Sequence, residues 1–341
     1  MNLSMWNKAL KVIPNVTREE WMGLDLISKW LISTRAAVLI MTFISSALAG
    51  LLAARDGAFH FIPWLAIVFG LMMAHASNNL LNDHVDYARG IDQGNYYRSM
   101  YGPQPLTHGL MTRIQHLAYF VTTGLLAFSA GLYLIWDNGF DSILWVLLGL
   151  GAFFLLFYTW PLKYLALGEL AVLIVWGPLM VGGGYYVLTH HWNWNVIWTS
   201  CAYALGVTTV ILGKHIDKIQ ADQQKHVRTL PVLVGEKAAR YLVIGMMIVP
   251  YFVLVYLVAI KYFTPFVLIV LLAIPHFKQV LPAFTKPRPQ TKPVNFPEGQ
   301  GGWPLYFAPL AFLYNRAFGI CLMAGLTGEV LIRNFMPAFW R

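Results

Sequence analysis

Two short acidic stretches carry the side chains best suited to chemistry. The first, NNLLNDHVDYARGID over 78–92, holds Asp83, Asp86 and Asp92 together with Asn78, Asn79 and Asn82. The second, GKHIDKIQADQQKHVRTLPVLVGE over 213–236, holds Asp217 and Asp222, followed by Lys225, Arg228 and Thr229. The chain has only 15 Asp and Glu residues, so five aspartates in two stretches form a concentration. Asn82 and Asp86 are four apart and Asp83 and Asp86 three apart, which allows one helix face to carry them. Gly90 is placed to end that helix and turn Asp92 back toward it. Clustered carboxylates repel one another at neutral pH unless a cation joins them. Oxygen-only donors suit Mg²⁺, which keeps several waters and is usually completed by substrate phosphates. Lys225 and Arg228 suit the remaining phosphate oxygens. One such stretch alone would read as ordinary solvated loop charge. Two of them in an acid-poor chain read as a site.

The elements that must position these residues are membrane spans. The chain is 58% hydrophobic and 11% charged, with a mean hydropathy of +0.57, whereas a soluble domain carries about a quarter charged residues. A helical span needs about 20 apolar residues, and nine runs qualify, centred on 36–54, 61–77, 117–136, 143–160, 170–188, 196–213, 241–260, 263–275 and 318–332. If the segment before the first run and the loops after even-numbered runs share one side, that side holds twenty of the 24 lysines and arginines. The bias assigns that side to the cytoplasm. Both acidic stretches then emerge cytoplasmically, after spans 2 and 6, and the C-terminus lies outside. The expectation is an all-α, multi-pass protein of the cell's inner or plasma membrane, with 1–341 as one domain. Residues 1–35 read as an interfacial cytoplasmic segment rather than a cleavable leader. The proline-rich 285–304 reads as a slack cytoplasmic loop. Cys201 and Cys321 sit in apolar runs and read as packing residues. The formal charge of +9 is spread between spans without an aromatic-interleaved basic face, which argues against nucleic acid.

Asn82-Asp83-x-x-Asp86 followed by Gly90-x-Asp92 resembles the first aspartate-rich motif of the UbiA superfamily of intramembrane prenyltransferases. The Gly-x-Asp ending is most similar to the branch acting on 1,4-dihydroxy-2-naphthoate in menaquinone synthesis. The second stretch, with Arg228-Thr229-Leu230 and Gly235, resembles that family's second motif. Tyr158-Thr159 with Pro161, Lys163 and LGE at 167–169 resembles a third. There are departures. Asp217 and Asp222 are five apart where the family has four, about 140° round an ideal helix, so either a π-bulge restores a common face or only one of them, with Asp222 preferred, is a direct ligand. Gln104 and Pro105 stand where an arginine is expected, with Arg98 as the nearest replacement.

The resemblance implies a nine-helix bundle with a cytoplasmic active-site mouth. It implies transfer from a polyprenyl diphosphate to an aromatic quinone-precursor acceptor. Mg²⁺ would be held by Asn82, Asp83, Asp86 and Asp92 on one side and Asp217 and Asp222 on the other. Lys163, Lys225, Arg228 and Arg98 would bind diphosphate, with Asn82 beside them. Tyr158 would hydrogen-bond the leaving group or stabilise the allylic cation, and Asp86, Asp222, Tyr158 and Lys163 carry the catalytic expectation. A terpene cyclase of the same superfamily is the alternative, separated by incubation with geranylgeranyl diphosphate alone. An ion-coupled transporter is a second, and it would place ionisable groups near the bilayer midplane. Among single residues, His75 reads as a core histidine, Glu169 as a helix N-terminal carboxylate or a site group, and Glu329 as remote from both stretches.

Overall fold

The computed structural model describes residues 1–91, 102–294 and 303–335. Among these, regular structure is helical apart from one isolated bridge between Leu165 and Arg228. Eight helices are long and apolar enough to cross a membrane. In chain order they are α1 (Ala36–Arg55), α2 (Phe61–Ala88), α3 (Arg113–Asp137), α5 (Gly168–Thr189), α6 (Trp194–Asp217), α7 (Glu236–Ala259), α8 (Pro265–Thr285) and α9 (Phe307–Phe335). Between α3 and α5 lies a shorter apolar helix, α4 (Ser142–Phe157).

Burial sorts the helices into inner and outer. The best apolar window of α1 is 78% buried and that of α3 only 17%. The outer face of α3 shows Leu117, Leu126 and Leu132 to its surroundings, as α7 shows Val249, Phe252 and Tyr256. Such faces suit hydrocarbon, because a helix satisfies its own backbone and leaves only side chains to be solvated. The centre is a continuous apolar cluster through α1, α6, α8 and α9, including Ile44, Leu48, Tyr203, Val267 and Phe318. Close approach of α6 and α9 depends on Gly213, where an added Cβ would meet the Phe307 backbone at 2.9 Å.

Three boundaries differ markedly from the apolar runs: α8 runs on to Thr285 rather than 275, and the other two differences concern the site. α2 does not stop at 77 but continues to Ala88, so the first acidic stretch lies on the helix itself. No Pro or Gly interrupts 78–88, and intrahelical hydrogen bonding costs less than exposing that backbone. Gly90, with φ +68°, ends the helix, and the Ile91 N–H returns to the Asp86 carbonyl at 2.9 Å. This αL closure is the one the glycine implied. α9 begins at Phe307 rather than 318, because its first amides are capped from outside.

The N-terminal segment forms three short helices, Leu3–Lys11, Arg18–Met22 and Leu26–Ser33. Trp21, Leu31, Ile32 and Ala9 pack with Ala76 of α2 in a second small core. Asp25 ties this segment together, accepting from the Asn2 and Ser28 amides at 2.8 and 3.0 Å and from the Trp6 indole at 3.1 Å. Those donors, the Ser28 amide first, hold its carboxyl well below the usual range despite the opposing effect of burial. Residues 8 and 11–15 line the cavity described below, as do Lys292 and Trp303 at the described ends of the proline-rich loop.

Candidate active site

The last three turns of α2 present the first acidic stretch inward. Asn82, Asp83 and Asp86 are buried. Each carboxylate meets a cation from elsewhere in the chain. Arg35, just before α1 and in αL conformation, donates to Asp83. Lys163, from the loop after α4, donates to both oxygens of Asp86 at 3.1 Å. Asn82 donates through Nδ2 to Thr159 Oγ1 at 3.2 Å, while its Oδ1 is buried with no hydrogen-bond partner. The neighbouring asparagines have structural work. Asn78 donates to the Leu155 carbonyl and Asn79 to that of Thr34, pinning α2 to α4 and to the start of α1. His75 is a packed histidine, 2.7 Å from Thr42 Oγ1 through Nδ1 and edge-on to Trp176.

The second stretch is arranged differently from expectation. α6 ends at Asp217, the chain breaks its regular geometry at Lys218 (ψ 8°), and a new helix runs from Ile219 to Gln224. No π-bulge joins the two aspartates; the π-helical turns of this chain lie at Val175–Gly182 instead. Asp217 accepts backbone N–H from Tyr306, Phe307 and Ala308 at 3.0–3.1 Å and so caps the N-terminus of α9. A carboxylate there satisfies amides the helix cannot and complements its dipole. The expectation of Asp217 as a metal ligand did not include this capping role. Asp222 is the other carboxylate of the stretch. Its Oδ1 lies 3.2 Å from Lys218 Nζ, and its Oδ2 is buried without a partner.

Lys225 also departs from its expected role. It reaches across to the end of the first stretch, donating to the Gly90 carbonyl at 2.8 Å and to that of Ile91. It is a strap between the two stretches. Arg228 is exposed, pairs through its backbone with Leu165 and does not line the cavity. Asp92 and Arg98 lie outside the described residues.

Lys163 is where the two stretches come together. Burial pulls its ammonium down, but the charges of Asp86 and then Asp222 outweigh burial and hold it above its ordinary value. It stays protonated. Asp86 in turn feels the charges of Lys163, Lys218 and Lys214. Tyr158, at the C-terminal end of α4, lies beside them. Burial, then the negative charges of Glu169 and Asp86, push its hydroxyl well above the usual phenol range, so it remains a donor.

These groups form one end of a cavity of about 1040 Å³. Asn82, Asp86, Tyr158, Lys163, Arg35, Lys214 and Lys218 line its polar end. Away from that end the lining is largely apolar, with Leu71, Phe120, Leu125, Phe128, Leu144 and Leu147 between α2, α3 and α4. Sequence reasoning missed Arg35, Lys214 and Lys218. Lys218 carried a readable cue, its i, i+4 spacing to Asp222. It also missed that Glu169 and His215 pair, Nδ1 to Oε1 at 2.6 Å, with Glu169 accepting the Leu230 amide as well.

Among the described residues no three His, Cys, Asp or Glu side chains are gathered tightly enough to hold an ion by themselves. The donors nevertheless suit a hard cation. They are oxygens, and Asn82 Oδ1 and Asp222 Oδ2 are buried acceptors with nothing to accept from. An orphaned buried acceptor costs about 1–3 kcal/mol, a cost that a cation or a donor removes.

Known proteins resemble this arrangement. Residues 43–298 match the UbiA prenyltransferase family. The chain is 26% identical over 256 residues to the 1,4-dihydroxy-2-naphthoate octaprenyltransferase of Bacillus subtilis, covering 74% of this chain and 81% of that one. It is 29% identical over 222 residues to the protein of the same name from Escherichia coli, covering 62% and 70%. In fold it is similar to a UbiA homolog from Archaeoglobus fulgidus, whose structure is bound to GPP and Mg²⁺. The TM-score is 0.55 at 12% identity, over 86% of this chain and 99% of that one.

Proposed function

The chain belongs to the UbiA prenyltransferase family, and from that premise we propose that it moves a polyprenyl group from an allylic diphosphate to an aromatic naphthoquinol-type acceptor, with Mg²⁺. The observation that carries this is the position of Lys163. It stands on Asp86, under the added influence of the Asp222 charge, at the polar head of a long apolar cavity. A prenyl diphosphate has that division, an anionic head on a hydrocarbon tail. The relatives' shared name points to a naphthoate acceptor.

Asn82, Asp83 and Asp86 would hold the Mg²⁺, with Asp222 held nearby by Lys218, and the ion would supply Lewis-acid neutralisation of a departing diphosphate. The chain's own groups do the rest. Lys163 keeps its proton and presents a fixed positive charge to the phosphate oxygens. Tyr158 donates its hydroxyl hydrogen to the leaving group. As the allylic C–O bond breaks, diphosphate leaves with the electron pair. An acceptor ring carbon then bonds to the allylic carbon and loses a proton, or carbon dioxide if that carbon bears a carboxylate. The apolar walls from α2, α3 and α4 keep water from the cation. Charge placed in advance where charge develops is the main source of such catalysis.

We read the whole chain as one prenyltransferase unit whose motif end faces the cytoplasm, from the lysine and arginine bias. Arg316 fits that side, lining the cavity from the first half of α9. The test supplies purified protein with Mg²⁺ and geranylgeranyl diphosphate, with and without 1,4-dihydroxy-2-naphthoate. A prenylated naphthol by mass, formed only with acceptor, is expected. A cyclic hydrocarbon formed without acceptor overturns the transferase reading in favour of a cyclase.

A further inference from the structure

We infer that Lys218 fills, beside the diphosphate, the place that a second divalent ion would otherwise take, so that this chain loads a single Mg²⁺ per site. The inference deepens the prenyl diphosphate reading and rests on it.

The last turns of α6 bring Lys214 and Lys218, four apart and so on one helix face, to the cavity wall. Asp217 is turned away from that wall and holds the amides of 306–308. The break at Lys218 lets the helix Ile219–Gln224 bring Asp222 back against it, and both side chains are almost wholly buried. Lys218 lines the cavity and Asp222 does not. A headgroup arriving from the cavity therefore meets the ammonium before the carboxylate. The second stretch delivers one carboxylate and two ammonium groups to this region.

Such a set is poorly suited to a divalent ion of its own. Mg²⁺ demands near-octahedral oxygen and is normally carried by one or two carboxylates plus phosphate. At Asp222 it would have one carboxylate, with an ammonium already on it, and the repulsion from that ammonium is doubled for a doubly charged ion. The first stretch has the opposite character. Asp83 and Asp86 lie there with the unpartnered Asn82 Oδ1, and their counter-cations come from separate segments. Two carboxylates and an idle amide oxygen there stand against the one carboxylate of the second stretch. One ion at the first stretch, with Lys163, Lys214, Lys218 and Arg35 and less the carboxylates Asp83, Asp86 and Asp222, sums to +3 and balances a diphosphate of formal charge −3. Lys218 makes and breaks no covalent bond. It donates N–H to phosphate oxygens before and after the C–O bond breaks, and keeps its proton throughout.

The test counts ions rather than turnover. Mn²⁺, a paramagnetic substitute for Mg²⁺, is titrated into the purified full chain saturated with geranylgeranyl thiolodiphosphate, which binds without ionising, and bound ion is read by electron paramagnetic resonance. One ion per chain is expected, rising to two in Lys218→Asp. Lys218→Met should weaken analogue binding roughly ten- to a hundredfold, the range for a charge-assisted hydrogen bond, without changing the count. Two tightly held ions on the unaltered protein overturn the inference and leave the prenyl diphosphate reading standing. Undiminished analogue affinity in a well-folded Lys218→Met also overturns it. Failure of the unaltered protein to bind the analogue at any Mn²⁺ concentration overturns the broader reading instead.

Discussion

Both ends of the bundle bury charge, but only one places it beside a hollow. At the end away from the acidic stretches, Arg55 clamps Asp56 through Nε and Nη2 at 2.8 Å each and stacks over Tyr262 at 4.1 Å. Tyr185 adds its hydroxyl to Asp56 at 2.8 Å. Glu329 accepts from the Thr264 amide at 2.8 Å and from Arg333 at 2.7 Å. None of these residues lines the cavity. At the motif end, Asp86, Lys163 and Lys218 do line it, and buried acceptors there, among them Asn82 Oδ1, Asp222 Oδ2 and Glu169 Oε2, stay unpartnered. The one orphan of the Arg55 group is a donor, Nη1, with no cavity beside it. Buried charge by itself holds helices together. Buried charge with idle acceptors on a cavity is available to a ligand.

The largest effects should separate the two ends by kind. Asp86→Asn and Asp222→Asn should each lower turnover by about 10³-fold, the scale of removing one preorganised electrostatic group. Each change also leaves a buried ammonium, Lys163 or Lys218, without its carboxylate, so a loss of stability of about 3–5 kcal/mol should accompany it. Turnover assayed per folded molecule decides it, and near-normal activity in both would break the contrast. Arg55→Ala should affect stability alone. Losing the hydrogen bonds to Asp56 and the stack on Tyr262 should cost about 1–3 kcal/mol of stability, read by chemical unfolding in micelles, while turnover per folded molecule stays level.

A third substitution divides two aspartates that look alike in the sequence. Asp217→Ala removes the cap of α9 and should destabilise by about 1–3 kcal/mol, with the Mn²⁺ count on the protein unchanged. Loss of ion binding would return Asp217 to the metal site. The pair also shows what the sequence could tell. Periodicity and apolar runs gave the spans, because lipid imposes length and composition on each helix separately. The face shared by Asn82, Asp83 and Asp86 followed from spacing on one uninterrupted helix. Asp217 did not follow, because its role depends on amides some ninety residues later and on a break at Lys218 that no proline or glycine announces. Arg35 was equally hidden: an arginine before a span reads as a topology signal, and only tertiary contact puts it on Asp83. Lys225 showed a charge suited to phosphate but not the two carbonyls that occupy it.

The smallest effect tests the opposite end by pH. Asp141 caps α4, accepting the Ile143 amide at 2.8 Å and the Tyr186 hydroxyl at 2.9 Å. The Ile143 amide first, then Tyr186 and His190, hold its carboxyl below the usual range against the opposing effect of burial. A carboxyl depressed by folding adds stability above its unfolded value, about 3.9, and that contribution fades as pH falls through the folded value. Asp141→Asn keeps a capping oxygen and removes the charge. The melting temperature of the unaltered protein in micelles should therefore exceed that of Asp141→Asn by a small, constant margin from about pH 5 to 8, shrinking below about pH 4. A margin that persists undiminished at pH 3 would mean that shape rather than charge holds this corner. The charge contrast between the ends would then rest on Arg55 and Glu329 alone.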